Sequence, residues 1–224
     1  LKELKNKFYH HKIDGYVVPK NDEYFSEFAK KDKLKTITGL DGSFLLAIIL
    51  KKKNFLFVDG RYVEQAKIQA GKKFKILEIS KKLPYQILNS RLNLGFDPKV
   101  FTSRSLIYFF RNKIKLTPIT KIIVNSDILK NHTSSKFYSL NPKVVGETVD
   151  SKIKRLIQIL KKDRSDHIFI SAPENVAWLL NIRGRDNPFS PIPNCRMIIN
   201  IKREVSFFSD LKKSSNIFKK KSFL

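Results

Sequence analysis

The chain has 224 residues, a formal net charge of +25 and a hydrophobic fraction of 42%, which includes 18 phenylalanines. This apolar content excludes a disordered chain and suits one large domain or two small ones. The longest uninterrupted apolar run covers residues 44–50, too short for a membrane span of roughly 20 residues. A single cysteine, Cys195, excludes a disulfide framework, and with charged residues in the first turns it predicts a cytoplasmic protein without a signal peptide.

The positive charge suggests a nucleic-acid-binding protein as one alternative. However, the lysines are spread along the whole chain and outnumber the arginines, whereas specific nucleic-acid surfaces favour arginine and interleaved aromatic residues. We therefore expect a lysine-coated surface with weak, non-specific attraction to polyanions, no specific nucleic-acid partner and no membrane partner.

Hydrophobic periodicity predicts alternating helices and strands in the first half of the chain. A helix over residues 1–11 precedes a short buried strand at 16–18, and a second short helix is predicted at 24–28. Two apolar runs separated by a charged turn predict a hairpin of residues 44–50 and 55–58. The remaining predicted elements are a helix at 61–70, strands at 74–79 and 92–96, a helix at 103–112 and a strand at 116–119.

A polar stretch with few apolar residues predicts a domain boundary near residues 140–147. We therefore place one domain at residues 1–143 and a second at 144–224. The second is predicted to contain a helix beginning at Asp150, a strand at 167–171, a helix beginning at Pro173, and a hairpin of 195–201 with 205–208. Both halves are assigned to the α/β class, with mixed sheets flanked by helices.

The sequence contains no motif for a phosphate-binding loop, a dinucleotide site or a zinc site. Asp41, Asp59 and Asp97 each stand alone next to glycine or proline, a pattern typical of turn formers rather than of metal ligands. Cys195 has no histidine near it in sequence to activate it as a nucleophile. We therefore predict no catalytic residue and no metal ligand in this chain.

Three stretches carry the most specific signal, and their sequences are TGLDGS at residues 38–43, VDGRY at 58–62 and NVAWLLNIRGRD at 175–186. In this order and spacing they resemble the N-terminal half of the aminopeptidase P, or Xaa-Pro aminopeptidase, branch of the creatinase and prolidase group. The chain departs from that branch at Leu40, Val58 and Val176, where the branch usually has Phe, Thr and Ile. The resemblance covers residues 12–210 and implies two tandem creatinase-N-like domains.

The resemblance implies the substrate-gating and dimerising N-terminal portion of a metal-dependent Xaa-Pro aminopeptidase, a hydrolase that removes the N-terminal residue preceding proline. Such enzymes bind two divalent metal ions, usually manganese, in a C-terminal pita-bread domain that has no counterpart in this sequence. We therefore expect the chain alone to be inactive, and the full-length enzyme to be a cytoplasmic homodimer that acts on short Xaa-Pro peptides. The alternative is a free-standing, non-catalytic binding module.

The resemblance assigns substrate binding to Arg61, because this arginine of the family reaches the bound peptide in the neighbouring active site. A guanidinium there could hold a peptide carboxylate or carbonyl by forked hydrogen bonds; the alternative is a structural ion pair with Asp41. Trp178 is expected to pack in the core, and Arg183 and Asp186 to form a structural or interdomain pair, with direct ligand contact as the alternative. The residues with a possible site or interdomain role are Asp41, Asp59, Tyr62, Trp178, Arg183 and Asp186.

Overall fold

The computed structural model of the protein describes residues 1–27, 32–119 and 135–217. The chain divides into two compact units, Leu1–Lys130 and Asn131–Leu224, whereas the sequence analysis placed the boundary between residues 143 and 144. The residues just before 143 lie with the second unit, because Tyr138–Ser139 pairs with Ile182–Arg183. Among the described residues, no helix combines the length and the apolar character needed to cross a membrane.

A six-stranded sheet forms the centre of the first unit and is ordered β4-β3-β2-β1-β5-β6. Its strands are β1 (Gly15–Pro19), β2 (Leu45–Leu50), β3 (Asn54–Val58), β4 (Lys75–Glu78), β5 (Asn93–Phe96) and β6 (Lys115–Pro118). Strand β2 runs against both of its neighbours, and the other neighbouring pairs are parallel. The predicted hairpin and the predicted mixed sheet are therefore confirmed.

Helices pack on both faces of this sheet, because side chains alternate between the faces along each strand. On β1, Tyr16 and Val18 join one buried cluster with the first three helices, and Val17 joins the other. The helices are α1 (Lys2–His10), α2 (Lys33–Thr38), α3 (Val63–Ala70), α4 (Pro84–Ile87) and α5 (Ser103–Phe110). The predicted helices at 61–70 and 103–112 thus correspond to α3 and α5, and short α2 and α4 were not predicted.

The helix predicted at 24–28 is wrong over its described part, because residues 21–27 form turns. The carboxylate of Asp22 accepts hydrogen bonds from the backbone N–H groups of Tyr24 and Ser26, at 2.8 and 3.0 Å. Such local side-chain bonds compete with helix formation. Residue 28 lies outside the described residues.

The second unit contains a three-stranded antiparallel sheet, ordered β11-β10-β8, and a two-stranded ladder of β7 and β9. Its strands are β7 (Tyr138–Ser139), β8 (His167–Ile170), β9 (Ile182–Arg183), β10 (Cys195–Asn200) and β11 (Val205–Ser209). Its helices are α6 (Pro142–Val145), α7 (Val149–Lys162), α8 (Pro173–Leu179) and α9 (Leu211–Ser214). The predicted α7, α8 and β10–β11 hairpin are confirmed, and the apolar stripe of α7 packs with α8 and β10 in one core.

Candidate functional site

The carboxyl ends of β1, β3, β4 and β5 lie at one edge of the first sheet, because these strands run in the same direction. The motif at residues 38–43 leads into β2, which begins at this edge, and the motif at 58–62 begins at Val58, the last residue of β3. Ligands of open α/β sheets bind outside the carboxyl ends of the strands. We call this region the carboxyl edge and treat it as the candidate site.

The two motifs of the first unit contact each other at the carboxyl edge. The hydroxyl oxygens of Ser43 and Tyr62 are 3.1 Å apart. Gly42 permits this approach, because a Cβ atom there would lie only 3.0 Å from the Tyr62 ring. The Gln65 side chain donates a hydrogen bond of 2.8 Å to the carbonyl oxygen of Asp41. The fold therefore joins into one surface two segments that are separate in sequence.

Arg61 lies in the turn after β3 with 72% of its side chain exposed. Its Nε donates to Asp59 Oδ1 at 2.9 Å, and its backbone N–H donates to the same oxygen at 3.0 Å. These bonds hold the pKa of Asp59 below its usual range and raise the pKa of Arg61. Arg61 does not form the alternative ion pair with Asp41, because the Asp41 carboxylate pairs with Lys35 at 2.6 Å. Most of the Arg61 side chain nevertheless remains exposed at the site.

Two ion pairs that are largely shielded from solvent, and that the sequence analysis missed, connect the start of α2 to the ends of β1 and β5. Lys20, directly after β1, pairs with Asp32 and lies 4.0 Å from an oxygen of Asp41. Lys33, the first residue of α2, pairs at 3.2 Å with Asp97, which directly follows β5. Buried charges are tolerated when they are paired. No local sequence signal predicts these contacts, because each joins residues that only the sheet topology brings together.

Trp178 is 51% exposed, so the prediction that it packs in the core is wrong. Its ring instead lies against two cations, with Lys152 Nζ at 4.2 Å and the Arg155 guanidinium carbon at 5.9 Å from the ring centroid. Lys152 is only 3% exposed, and its Nζ donates to the Trp178 carbonyl and to Asn181 Oδ1, both at 2.7 Å. Burial lowers the pKa of Lys152.

Arg183 and Asp186 make separate contacts, so the predicted pair between them is wrong. Arg183 donates to the backbone carbonyl of Ala177 at 3.2 Å. The buried Asp186 carboxylate pairs with Lys213 and accepts from the backbone N–H of Asn194 at 2.8 Å. Both side chains therefore contribute to the internal structure of the second unit, near the end of α8 and the start of β10.

The described residues offer neither an activated thiol nor a metal centre. Burial raises the pKa of Cys195 to about 12, with a further contribution from the charge of Asp186, and a protonated thiol is a poor nucleophile. Within residues 1–27, 32–119 and 135–217, no group of three or more His, Cys, Asp or Glu side chains is placed to hold a metal ion. A dinuclear metal centre does not fit these residues, and we assign no chemical step to one here.

Comparison with known proteins accounts for the two-unit architecture. Two family models, both described as Creatinase/Prolidase N-terminal domain, match residues 1–127 and 129–222. The chain belongs to the creatinase/prolidase N-terminal domain family. The two matches follow each other along the chain, and each covers most of one compact unit.

Curated proteins that are similar in sequence to this chain include Xaa-Pro aminopeptidases. A probable Xaa-Pro aminopeptidase P of Laccaria bicolor is 29% identical over 210 residues, which are 86% of this chain and 32% of that protein. An Xaa-Pro aminopeptidase of Drosophila melanogaster is 27% identical over 201 residues, which are 80% of this chain and 32% of that protein. The chain thus spans about a third of the length of these relatives.

A solved structure has the same fold as the two creatinase/prolidase N-terminal domains. The crystal structure of an X-prolyl aminopeptidase from Caenorhabditis elegans matches with a TM-score of 0.83 and 23% sequence identity. The match covers 95% of this chain and 38% of that enzyme, which is described as cytosolic with a di-nuclear active site. This likeness confirms the α/β fold.

Proposed function

We propose that this chain is the N-terminal portion of a metal-dependent Xaa-Pro aminopeptidase, and that its carboxyl edge helps to bind the short peptide substrate. The tandem creatinase/prolidase N-terminal domains and the names of the curated relatives support this assignment. The observation that carries the peptide-binding role is the exposed guanidinium of Arg61 on a loop held by the rest of the edge.

The surroundings of Arg61 suit the recognition of a peptide carbonyl or carboxylate. A guanidinium presents several N–H donors in a planar fork, which matches these acceptors. Asp59 uses the Nε donor and thereby orients the group, while the Ser43–Tyr62 contact supports the neighbouring residue of the turn. An incoming peptide could therefore accept hydrogen bonds from the other guanidinium N–H groups of Arg61 without breaking its pair with Asp59.

Catalysis belongs, in this proposal, to residues outside the chain described here. Two divalent metal ions, manganese in the usual case, would be held there and would supply an activated water molecule. The C. elegans enzyme, described as cytosolic and di-nuclear, supports a cytoplasmic parent enzyme with two metals. Homodimer formation and gating of the substrate entrance are part of the same proposal and rest on the family resemblance.

The peptide-binding role is tested by titrating the 224-residue chain with an Ala-Pro dipeptide and following the complex by NMR. We expect Arg61→Gln to weaken binding by about 10-fold or more, because charge-assisted hydrogen bonds are lost. Arg91→Gln is the matched control. Arg91 is exposed and precedes β5, so it lies at the amino end of that strand, opposite the carboxyl edge. Equal effects of the two substitutions would contradict the role of Arg61.

The absence of catalysis is tested separately, by incubating the chain with manganese and a short Xaa-Pro peptide. We expect no release of the N-terminal amino acid. Turnover that rises with protein concentration and stops on adding a chelator would show that this chain carries a metal site of its own.

A further inference from the structure

A cavity of about 230 Å³ opens at the carboxyl edge of the first unit. It lies between the end of β1, the start of β2, the residue after β4 and the segment that leads into α5. Its wall continues the candidate site, because Phe44 lines the cavity and directly follows Ser43, which contacts Tyr62. Its apolar lining includes Phe25, Phe44, Leu45, Ile79, Phe101 and Phe109.

Two phenylalanines of this wall combine exposure with an unfavourable backbone conformation. Phe25 and Phe44 are 51% and 48% exposed, and their φ angles are 61° and 52°. A left-handed backbone is strained for a bulky residue, and glycine or asparagine would adopt it more easily. A half-exposed ring recovers little of that cost by burial. A ligand that covers both rings would account for phenylalanine at both positions.

The size and polarity of the cavity limit what it can hold. Sites for drug-sized ligands occupy roughly 300–1,000 Å³, so this smaller cavity suits a single side chain rather than a whole cofactor. The basic group of its wall, Lys20, is buried and paired with Asp32. Phosphate or another small anion would therefore meet a neutralised charge and apolar surface, which does not favour it.

Opposite charges stand beside the cavity and favour a peptide as the source of that side chain. Glu27 is one of the residues that line the cavity, and its charge is close enough to contribute to the raised pKa of Arg61. A short peptide carries a positive amino terminus, a negative carboxylate and, between them, side chains of varied polarity. This distribution complements an acid, a base and an apolar cavity that lie side by side.

We propose that this cavity binds an aliphatic or aromatic side chain of the same short peptide whose carbonyl or carboxylate meets Arg61. The inference rests on the proposed function and adds to it a preference for apolar residues, which a contact through Arg61 alone would not create. The exposed faces of Phe25 and Phe44 would become the contact surface for the side chain.

The test compares Phe-Pro with Gly-Pro, both titrated into the 224-residue chain, together with N-acetyl-phenylalanine amide, which lacks both charged ends. We expect Phe-Pro to bind about 10-fold or more tightly than Gly-Pro, the factor typical of burying a large apolar side chain. Phe44→Gly should remove this preference without lowering the melting temperature, because glycine tolerates the left-handed backbone. Tyr9→Ala removes an exposed ring on α1, away from the cavity, and should leave the preference intact.

The outcomes separate the cavity from the role of Arg61. Equal affinities for both dipeptides, with both weakened by Arg61→Gln, would overturn the cavity proposal and leave the proposed function standing. A Phe-Pro preference that Phe44→Gly abolishes but Arg61→Gln leaves unchanged would support the cavity and overturn the role of Arg61. If neither Phe-Pro nor N-acetyl-phenylalanine amide perturbs the NMR signals of cavity residues at millimolar concentration, the cavity proposal is wrong.

Discussion

The two units use the polar residues of their motifs in different ways. In the first unit, Asp59 and Arg61 stand on a loop at the open edge of a sheet, and the guanidinium is largely exposed. In the second unit, the motif at residues 175–186 contains polar side chains that are buried. One of them is Asn181, which accepts a hydrogen bond from Lys152. The two motifs therefore differ in how far the fold leaves their polar side chains accessible to a ligand.

The reason for the difference lies in the end of helix α8. The last carbonyl groups of a helix lack partners within it and need donors from elsewhere. Lys152 and Arg183 supply such donors to the carbonyls of Trp178 and Ala177. In the first unit, Arg61 pairs with Asp59 directly after β3, and 72% of its side chain remains exposed.

The greatest change that we expect is in the reactivity of Cys195, the buried thiol of the second unit. Because burial raises its pKa to about 12, the native thiol should react with a disulfide reagent near pH 8 on the order of 10³-fold more slowly than the unfolded thiol. The rates are measured with and without urea. Similar rates in both conditions would mean that the interior of the second unit is open to solvent.

The next effect concerns the buried lysine of the second unit. Lys152→Met removes the donor to Asn181 Oδ1 and leaves that oxygen buried without it, so we expect the free energy of unfolding to fall by about 2 kcal/mol. Urea unfolding is followed by the fluorescence of Trp178, which is the one tryptophan of the chain and reports on this unit.

Lys154→Met is the matched control for this substitution, because Lys154 lies on the same helix in an exposed ion pair with Asp150. Surface pairs of this kind contribute little to stability. If the two substitutions had equal effects, Lys152 would not have the internal structural role that distinguishes the second unit from the first.

The smallest effect concerns the exposed pair of the first unit. The pKa of Asp59 is lowered, chiefly by its hydrogen bonds with Arg61, so any stability from the pair is present above the unfolded pKa of about 3.9 and is lost as pH falls through the folded pKa. Arg61→Gln should raise the pKa of Asp59 toward its ordinary value, as measured by carboxylate NMR titration. The pKa of Asp150, which is lowered by Lys154, should not change. An unchanged Asp59 pKa would show that the pair is not formed in solution.

Much of the local structure could be predicted from sequence, and the reasons are physical. The β2–β3 hairpin follows from two apolar runs around a charged turn, and α7 follows from apolar residues at helical spacing. The helix predicted at 24–28 failed because hydrogen bonds to the Asp22 carboxylate favoured turns over a helix. The contact partners of the site residues could not be predicted, since they depend on distant segments.

Sequence alone was enough to infer the family, the α/β class, the principal helices and strands and the two motifs of the first unit. These depend on periodicity, turn residues and motif spacing, all of which act locally along the chain. The tertiary structure alone decided that Arg61 pairs with Asp59 rather than Asp41, that Trp178 is exposed and that Phe25 and Phe44 share one cavity. Those outcomes depend on strand order and packing, which bring together residues far apart in sequence and decide which side chains are left in contact with water.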